Sequence, residues 1–150
     1  FGVGYCPKGI MAGRIVIPIH NSAGELVAYA GRWPGNPPDG KEKYRLPGGF
    51  KKTLELYNIH RALKESPETP LMIVEGYFDV MRLWQHGNRR AVAIMGTNLS
   101  EVQAHLIQGA LCSEDRIIIA MDDDEAGLKA APAILLRLAP YAFARVTPAT

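Results

Sequence analysis

Two short apolar runs, each followed at once by acidic residues, constrain this fold more than any other feature. Residues 71–74 lead directly into Glu75, and residues 117–121 lead directly into three consecutive aspartates at 122–124. Continuous apolar runs of this length are typical of strands covered on both faces, as in a parallel sheet. Open parallel sheets bind ligands outside the carboxyl ends of their strands, which is where these carboxylates fall. The pattern therefore predicts a divalent-metal site suited to phosphate chemistry.

The second half of the chain alternates predicted strands with predicted helices. The alternation indicates right-handed βαβ units and a mostly parallel sheet flanked by helices. Pro132 lies inside the last predicted helix, where it should kink or interrupt it. The predicted strands are 71–75, 91–95, 116–121 and 142–146, and the predicted helices are 77–87, 100–108 and 124–138.

The first half has a different pattern. Residues 14–31 read as a β-hairpin, because two apolar strands flank a turn at 21–24. Apolar residues at helical spacing predict a helix over 54–64, and a proline- and serine-rich stretch at 66–70 follows it. We therefore expect a small mixed α/β subdomain over 1–66 and a Rossmann-like α/β domain over 70–150.

The charge is unevenly distributed along the 150 residues, whose net formal charge is only +2. Residues 32–52 are rich in lysine and arginine, whereas acids gather at the predicted strand ends. A basic segment beside an acidic metal edge suits a bound polyanion, although a solvated, lysine-bearing loop region explains the basic segment equally well.

Composition also excludes several protein classes. The two cysteines, Cys6 and Cys112, have no CxxC spacing, which argues against a zinc site or a disulfide framework in this fragment and suits a reducing cytoplasm. No apolar stretch has the length of a membrane span, so no membrane partner is expected. Because the sequence begins at Phe1, we expect it to be a fragment of a longer protein.

The acidic residues are the candidate catalytic and metal-binding groups. Glu75 suits a hard metal ligand or a general base, or else a first-turn acid stabilised by the helix dipole. Asp122 and Asp124 are two apart on an extended strand end, so both side chains project to one side and can hold Mg²⁺; the alternative is that Asp124 is the N-cap of the next helix. Asp79 either points back at the site or caps its own helix. Gly96 and Thr97 offer backbone N–H groups and a hydroxyl for a phosphate or a metal-bound water.

The acidic motifs resemble a known set. Residues 75–80, 95–97 and 121–127 are similar in order and spacing to the Toprim motifs of the catalytic core of bacterial DnaG-type DNA primases. Further similarity to that core lies upstream, at residues 1–5, 14–19, 30–32, 42–44 and 50–57. Asp123 departs from the family, which usually has glycine at that position.

The resemblance implies a nucleotidyltransferase in DNA replication: a DNA-directed RNA polymerase of the primase type that makes short RNA primers on a single-stranded DNA template. It implies that Glu75, Asp122 and Asp124 hold Mg²⁺ or Mn²⁺. It also implies a cytoplasmic, nucleoid-associated protein that uses ribonucleoside triphosphates, with a replicative helicase as a partner through regions outside this sequence. The predicted contacts to template and nucleotide are Arg14, Arg32, Lys43, Lys51, Lys52, Asp79, Gly96 and Thr97.

Two other functions use the same acidic residues. A Toprim protein of the nuclease or topoisomerase type would cut or rejoin nucleic acid. A non-catalytic Toprim module would only bind it. The similarity at Arg32, Lys43 and Lys52 favours the primase.

Overall fold

The computed structural model describes residues 1–112 and 115–147. Its first part is an antiparallel sheet with strand order β1-β2-β3-β4. The hairpin predicted at 14–31 is confirmed, because the strands Arg14–His20 and Leu26–Arg32 pair along their length. The side-chain oxygen of Asn21 closes the turn by accepting the Glu25 N–H, and the Asn21 N–H donates to the Glu25 carbonyl. The strands are β1 (Gly4–Cys6), β2 (Arg14–His20), β3 (Leu26–Arg32) and β4 (Tyr44–Arg45).

The helix predicted at 54–64 is much shorter in the structure. Only α1 (Ile59–Ala62) is helical, after a single 3₁₀ turn at Lys52–Leu54. Asn58 delays the start of the helix: its backbone is left-handed, with φ of 70°, and its buried amide donates to the Ala91 carbonyl at 2.9 Å. This segment therefore ties the first part of the chain to the second sheet.

The second sheet is parallel throughout, with strand order β6-β5-β7-β8. The mostly parallel α/β architecture predicted for this half is confirmed, and residues 148–150 of the predicted domain lie outside the described residues. The strands are β5 (Leu71–Val74), β6 (Ala91–Ala93), β7 (Arg116–Ala120) and β8 (Phe143–Val146), and the helices are α2 (Tyr77–Gln85), α3 (Glu101–Ala110) and α4 (Glu125–Leu138).

Two apolar clusters hold these layers together. In one, α3 and α4 pack on the parallel sheet through residues such as Ile107, Ile119 and Ile134. In the other, β2 and β3 pack against α2 and the opposite face of the same sheet, with Ile17 and Val80 fully buried. Period-two alternation along β5 sends neighbouring side chains into different clusters. The proposed boundary at 66–70 stays a prediction.

Two further features concern the helices. α4 continues through Pro132, so the interruption expected there is absent; the proline lies on the exposed side of the helix. In the part of the chain that the structure describes, no helix is both long and apolar enough to span a bilayer.

Candidate functional site

The acidic residues gather at the carboxyl edge of the parallel sheet because of the strand order. β5 lies between β6 and β7, and Val74 pairs with both Ala93 and Ala120. Glu75 therefore leaves the central strand between the ends of its two neighbours. Asp122 leaves β7 at the same edge. The topology predicted from the apolar runs is what brings residues 47 positions apart in sequence into one place.

Glu75 is half-buried, and its Oε2 atom is buried without a hydrogen-bond partner among the described residues. Burial raises the pKa of its carboxyl, because the charged form loses hydration. The negative charges of Asp122, Asp124 and Asp79 raise that pKa further, while Lys52 acts in the opposite direction. Glu75 thus has an oxygen without a partner among the described residues, and other carboxylates lie near it.

Asp122 is in a similar electrostatic position although the residue as a whole is exposed. Partial burial of its carboxyl raises its pKa, and the charges of Asp79 and Asp124 add to the increase. The ammonium of Lys43 opposes it. The acidic edge therefore carries more negative charge than its own surroundings neutralise.

Asp79 and Asp124 cap α2 and α4, two of the helices that start at this edge. Asp79 Oδ2 accepts the Gly76 N–H at 2.9 Å, and Asp124 Oδ1 accepts the Gly127 N–H at 2.8 Å. A Cβ at position 127 would overlap the carbonyl oxygen of Asp122, so only glycine lets α4 start this close to the acidic loop. The capping alternative for Asp124 is therefore confirmed, and its charge still reaches Glu75.

The donor set fits a hard divalent cation. Carboxylate oxygens are the ligands that Mg²⁺ prefers, and a buried oxygen without a donor is the kind of atom that a cation satisfies. Across residues 1–112 and 115–147, however, no three His, Cys, Asp or Glu side chains already stand at the spacing of a metal site. Chelation of one ion by Glu75, Asp122 and Asp124 together stays a prediction that requires side-chain rotation.

Comparison with known proteins places this geometry in a family. The Toprim domain family matches residues 69–148, which is more than half of the chain. The chain belongs to the Toprim domain family. The acidic residues of the edge, Glu75, Asp79, Asp122 and Asp124, all lie in the matched region.

The whole chain is also similar to bacterial DNA primases. It is 38% identical to the DNA primase of Rickettsia felis over 125 residues, covering 81% of this chain and 20% of that protein. It superposes on the Aquifex aeolicus primase (zinc-binding and RNA polymerase domains) with a TM-score of 0.78 and 30% identity, over 95% of this chain and 36% of that one. A DnaG primase catalytic domain bound to ssDNA gives a TM-score of 0.73 and 28% identity, over 97% and 48%. The chain spans about a fifth of the length of the curated relatives it matches.

Arg32 lies beside the Toprim acidic edge in an aromatic setting. Its guanidinium lies 5.0 Å from the ring centroid of Phe78 and 5.8 Å from that of Tyr44. Burial raises the pKa of the Tyr44 hydroxyl and Arg32 lowers it, whereas the nearby charges of Asp79 and Asp122 raise it. Arg32 and Lys43 therefore lie near the acids, and their predicted contact to nucleic acid stays a prediction.

Lys52 reaches the Toprim site from the 3₁₀ turn. Its Nζ donates to the Met95 carbonyl at 2.8 Å, and it lies close enough to Glu75 to lower the pKa of that carboxyl. Met95 has a left-handed backbone with φ of 60°, which non-glycine residues seldom adopt and which concentrates at functional sites. The loop at Gly96 thus lies next to Lys52, and Thr97 is exposed beyond it.

The structure does not place Arg14 in an open groove. Its side chain is buried, with 4% of the residue exposed, and its guanidinium donates to the backbone carbonyls of Gly31, Glu42 and Lys43. It also lies over the Trp33 ring at 4.9 Å. We therefore correct its predicted role: Arg14 holds the basic segment in position, because its hydrogen-bonding capacity is used internally.

Sequence reasoning missed the aromatic partners of Arg32. Tyr44 directly follows Lys43, and Phe78 directly precedes Asp79. Aromatic residues interleaved with charged ones are a recognised signal of single-stranded nucleic-acid binding, so this pattern could have been found. Lys51 is exposed beside Lys52; its predicted contact to nucleic acid stays a prediction.

Proposed function

We propose that this chain is the catalytic core of a DNA primase, which joins ribonucleotides into short RNA primers on a single-stranded DNA template. The observation that carries the proposal is the acidic edge, where Glu75 and Asp122 have raised pKa values and lie opposite Arg32, Lys43 and Lys52. The similarity to primase catalytic cores over nearly the whole chain supports it.

Glu75, Asp122 and Asp124 would hold Mg²⁺ or Mn²⁺ in this proposal. When bound, the cation supplies positive charge for the triphosphate and lowers the pKa of the attacking 3′-hydroxyl. The protein supplies the rest: Glu75 offers its unpartnered oxygen, the Asp124 cap fixes the start of α4, and Gly127 allows the acidic loop to approach it.

The basic residues would hold the polyanionic partners. Arg32, Lys43 and Lys52 provide cations near the carboxylates, so they suit template and ribonucleoside triphosphate phosphates. Binding of this kind weakens with salt and is nearly indifferent to sequence. The solved similar domain that is bound to ssDNA supports the choice of template. Asp79, Lys51, Gly96 and Thr97 complete the proposed contacts.

The cellular setting follows from the same proposal. A primase of this kind would act at the replicating chromosome in the cytoplasm, associated with the nucleoid. A replicative helicase would be its partner through regions outside the residues that the structure describes.

The test is a primer-synthesis assay run beside a plasmid-cleavage assay, which detects the alternative functions. The protein is incubated with single-stranded DNA, labelled ribonucleotides and Mg²⁺ or Mn²⁺, and in parallel with supercoiled plasmid. We expect short labelled RNA and intact plasmid. Nicked or relaxed plasmid without primers would instead favour a nuclease or topoisomerase-type Toprim protein, and binding of DNA with neither product, even at high Mn²⁺, would favour a non-catalytic module.

A further inference from the structure

A row of four side chains crosses the antiparallel sheet at the end nearest the acidic edge. Tyr5 pairs with Ile15, Ile15 with Arg32, and Arg32 with Tyr44. Directly opposed residues of antiparallel strands point to the same face of the sheet. Ile17, two positions after Ile15, is fully buried on that face, so the row continues the surface that packs on the parallel half of the molecule.

The two ends of this row differ in exposure. Arg32 and Tyr44 lie at the acidic edge, against Phe78 and near Asp122. Tyr5, at the other end, has 67% of its surface exposed and is the most exposed of the six tyrosines. Its ring therefore presents a large apolar surface to solvent, and packing in the core does not account for it.

The nearby cations of Arg32 and Lys43 favour a nucleic acid as the partner that covers Tyr5. Strands in a sheet lie about 4.8 Å apart, so Tyr5 on β1 and Arg32 on β3 are separated by about 10 Å. A few nucleotides of an extended single strand cover this distance. A strand whose phosphates are held by Arg32 and Lys43, and which runs across the sheet towards β1, brings a base within reach of the Tyr5 ring.

We propose that Tyr5 is a stacking platform for one base of the single-stranded nucleic acid whose phosphates Arg32 holds. Every base has a π-face, so a tyrosine contributes affinity without sequence preference. The phosphate contacts and the base contact then lie on one face of one sheet, which fixes their relative position. This inference rests on the proposed function, which supplies single-stranded DNA as the partner. Its test measures only binding.

The experiment combines a protein change with a nucleic-acid change. Binding of a labelled oligo-dT, and of an oligomer of the same length with abasic sites, is measured by fluorescence anisotropy for wild type, Tyr5→Ala and Tyr5→Phe. Tyr29→Ala is the matched control: Tyr29 is also exposed, but it pairs with Pro18 and alternates with the buried Ala28 and Ala30, which places it on the opposite face of the same sheet.

We expect Tyr5→Ala to weaken oligo-dT binding about 5- to 150-fold, which is the range for loss of one base–aromatic stack. Tyr5→Phe should bind like wild type because it keeps the ring, and Tyr29→Ala should do so as well. The abasic oligomer should bind wild type and Tyr5→Ala equally, and the salt dependence should be the same for both because no ionic contact is lost.

Equal affinity of Tyr5→Ala and wild type for oligo-dT would overturn the proposal, and so would an equal loss on the abasic oligomer. Thermal melting of each variant establishes that it is folded before binding is compared. Failure of primer synthesis alone leaves the binding result intact, so it would count against the proposed function and not against the role of Tyr5.

Discussion

At the amino end of the parallel sheet Asp115 is paired with Arg90, whereas at the carboxyl end Glu75 and Asp122 face other carboxylates. The Arg90–Asp115 pair is bidentate, with both N–O distances 2.8 Å, and the two side chains are 5% and 0% exposed. Its hydrogen bonds hold the pKa of Asp115 below the usual value even though burial opposes this. Glu75 and Asp122 have pKa values shifted in the opposite direction.

The two ends of the sheet use charge differently: the amino end pairs it to hold the structure together, and the carboxyl end leaves it available for the proposed function. Arg90 also donates to the carbonyls of Pro67 and Thr69, so the chain before β5 is tied to the starts of β6 and β7. At the other end Glu75 Oε2 has no hydrogen-bond partner among the described residues. The cations that lower the pKa of Glu75 and of Asp122 are Lys52 and Lys43, which come from the first part of the chain. Like charges kept together at a cost in stability are typical of functional sites, which supports the proposed binding of a cation and a substrate at this edge.

The largest effect should come from breaking the satisfied end. Arg90→Ala leaves Asp115 buried and unpaired and removes the donor from two backbone carbonyls. We expect the free energy of unfolding to fall by about 3–5 kcal/mol, measured by urea denaturation. Arg116→Ala is the control, because exposed Arg116 donates to the Glu68 carbonyl at 3.2 Å near the same end of the sheet, and should cost less than about 1 kcal/mol. Similar losses for the two variants would contradict the structural role of the pair.

At the unsatisfied end, Asp122→Asn should leave the fold intact and abolish most activity. Under the proposed metal assignment, loss of this carboxylate removes several kcal/mol of transition-state stabilisation, so primer synthesis should fall about 100- to 1000-fold. The melting temperature should stay the same or rise, because a repelling charge is lost. Asp123→Asn, at the exposed neighbouring position, should keep its activity. A normal initiation rate in Asp122→Asn would defeat the metal assignment.

The same contrast shows what the sequence could reveal. The acidic edge was predictable because its residues directly follow apolar runs, and parallel strands bring their carboxyl ends together. The Arg90–Asp115 pair was not, because two isolated charges 25 positions apart give no periodic signal. Its existence depends on the strand order, in which β5 separates β6 from β7.

The local errors have physical causes of the same kind. The helix predicted at 54–64 failed where the buried side chain of Asn58 found a partner at Ala91, a tertiary contact that overrides local helical spacing. The resemblance to primase cores implied a groove role for Arg14, but its guanidinium donates instead to backbone carbonyls that only the folded chain brings together. The sequence pattern therefore predicts where charged residues lie along the helices and strands. Tertiary packing decides which of them keep hydrogen-bonding capacity for a ligand.

A smaller effect is expected for the cation beside Glu75. Lys52→Ala should weaken single-stranded DNA binding at low salt and reduce the slope of log affinity against log salt by about 1, since one phosphate contact is lost. Anisotropy titrations at several salt concentrations measure this slope. Lys64→Ala, an exposed lysine after α1, is the matched control and should leave it unchanged. An unchanged slope for Lys52→Ala would reject its role as a phosphate contact.

The smallest effect is a pH dependence whose sign should differ between the two ends. Asp115 has a lowered pKa, so its stabilisation is present above its unfolded value of 3.8 and is lost as the pH falls through the folded value. Glu75 has a raised pKa, so the folded state binds its proton more tightly than the unfolded state does; its penalty is absent below 4.5 and grows as the pH rises through the folded value. Without divalent cations, Glu75→Gln should therefore be more stable than wild type at pH 7, and this advantage should shrink towards pH 4.5. Urea denaturation of both proteins in EDTA across this range measures the difference.

Adding Mg²⁺ at pH 7 should stabilise wild type more than Glu75→Gln, because the cation binds the folded state through the carboxylate that the variant lacks. A Glu75→Gln advantage that stays constant with pH, or an equal response to Mg²⁺, would show that the carboxyl edge is balanced internally, as the amino edge is.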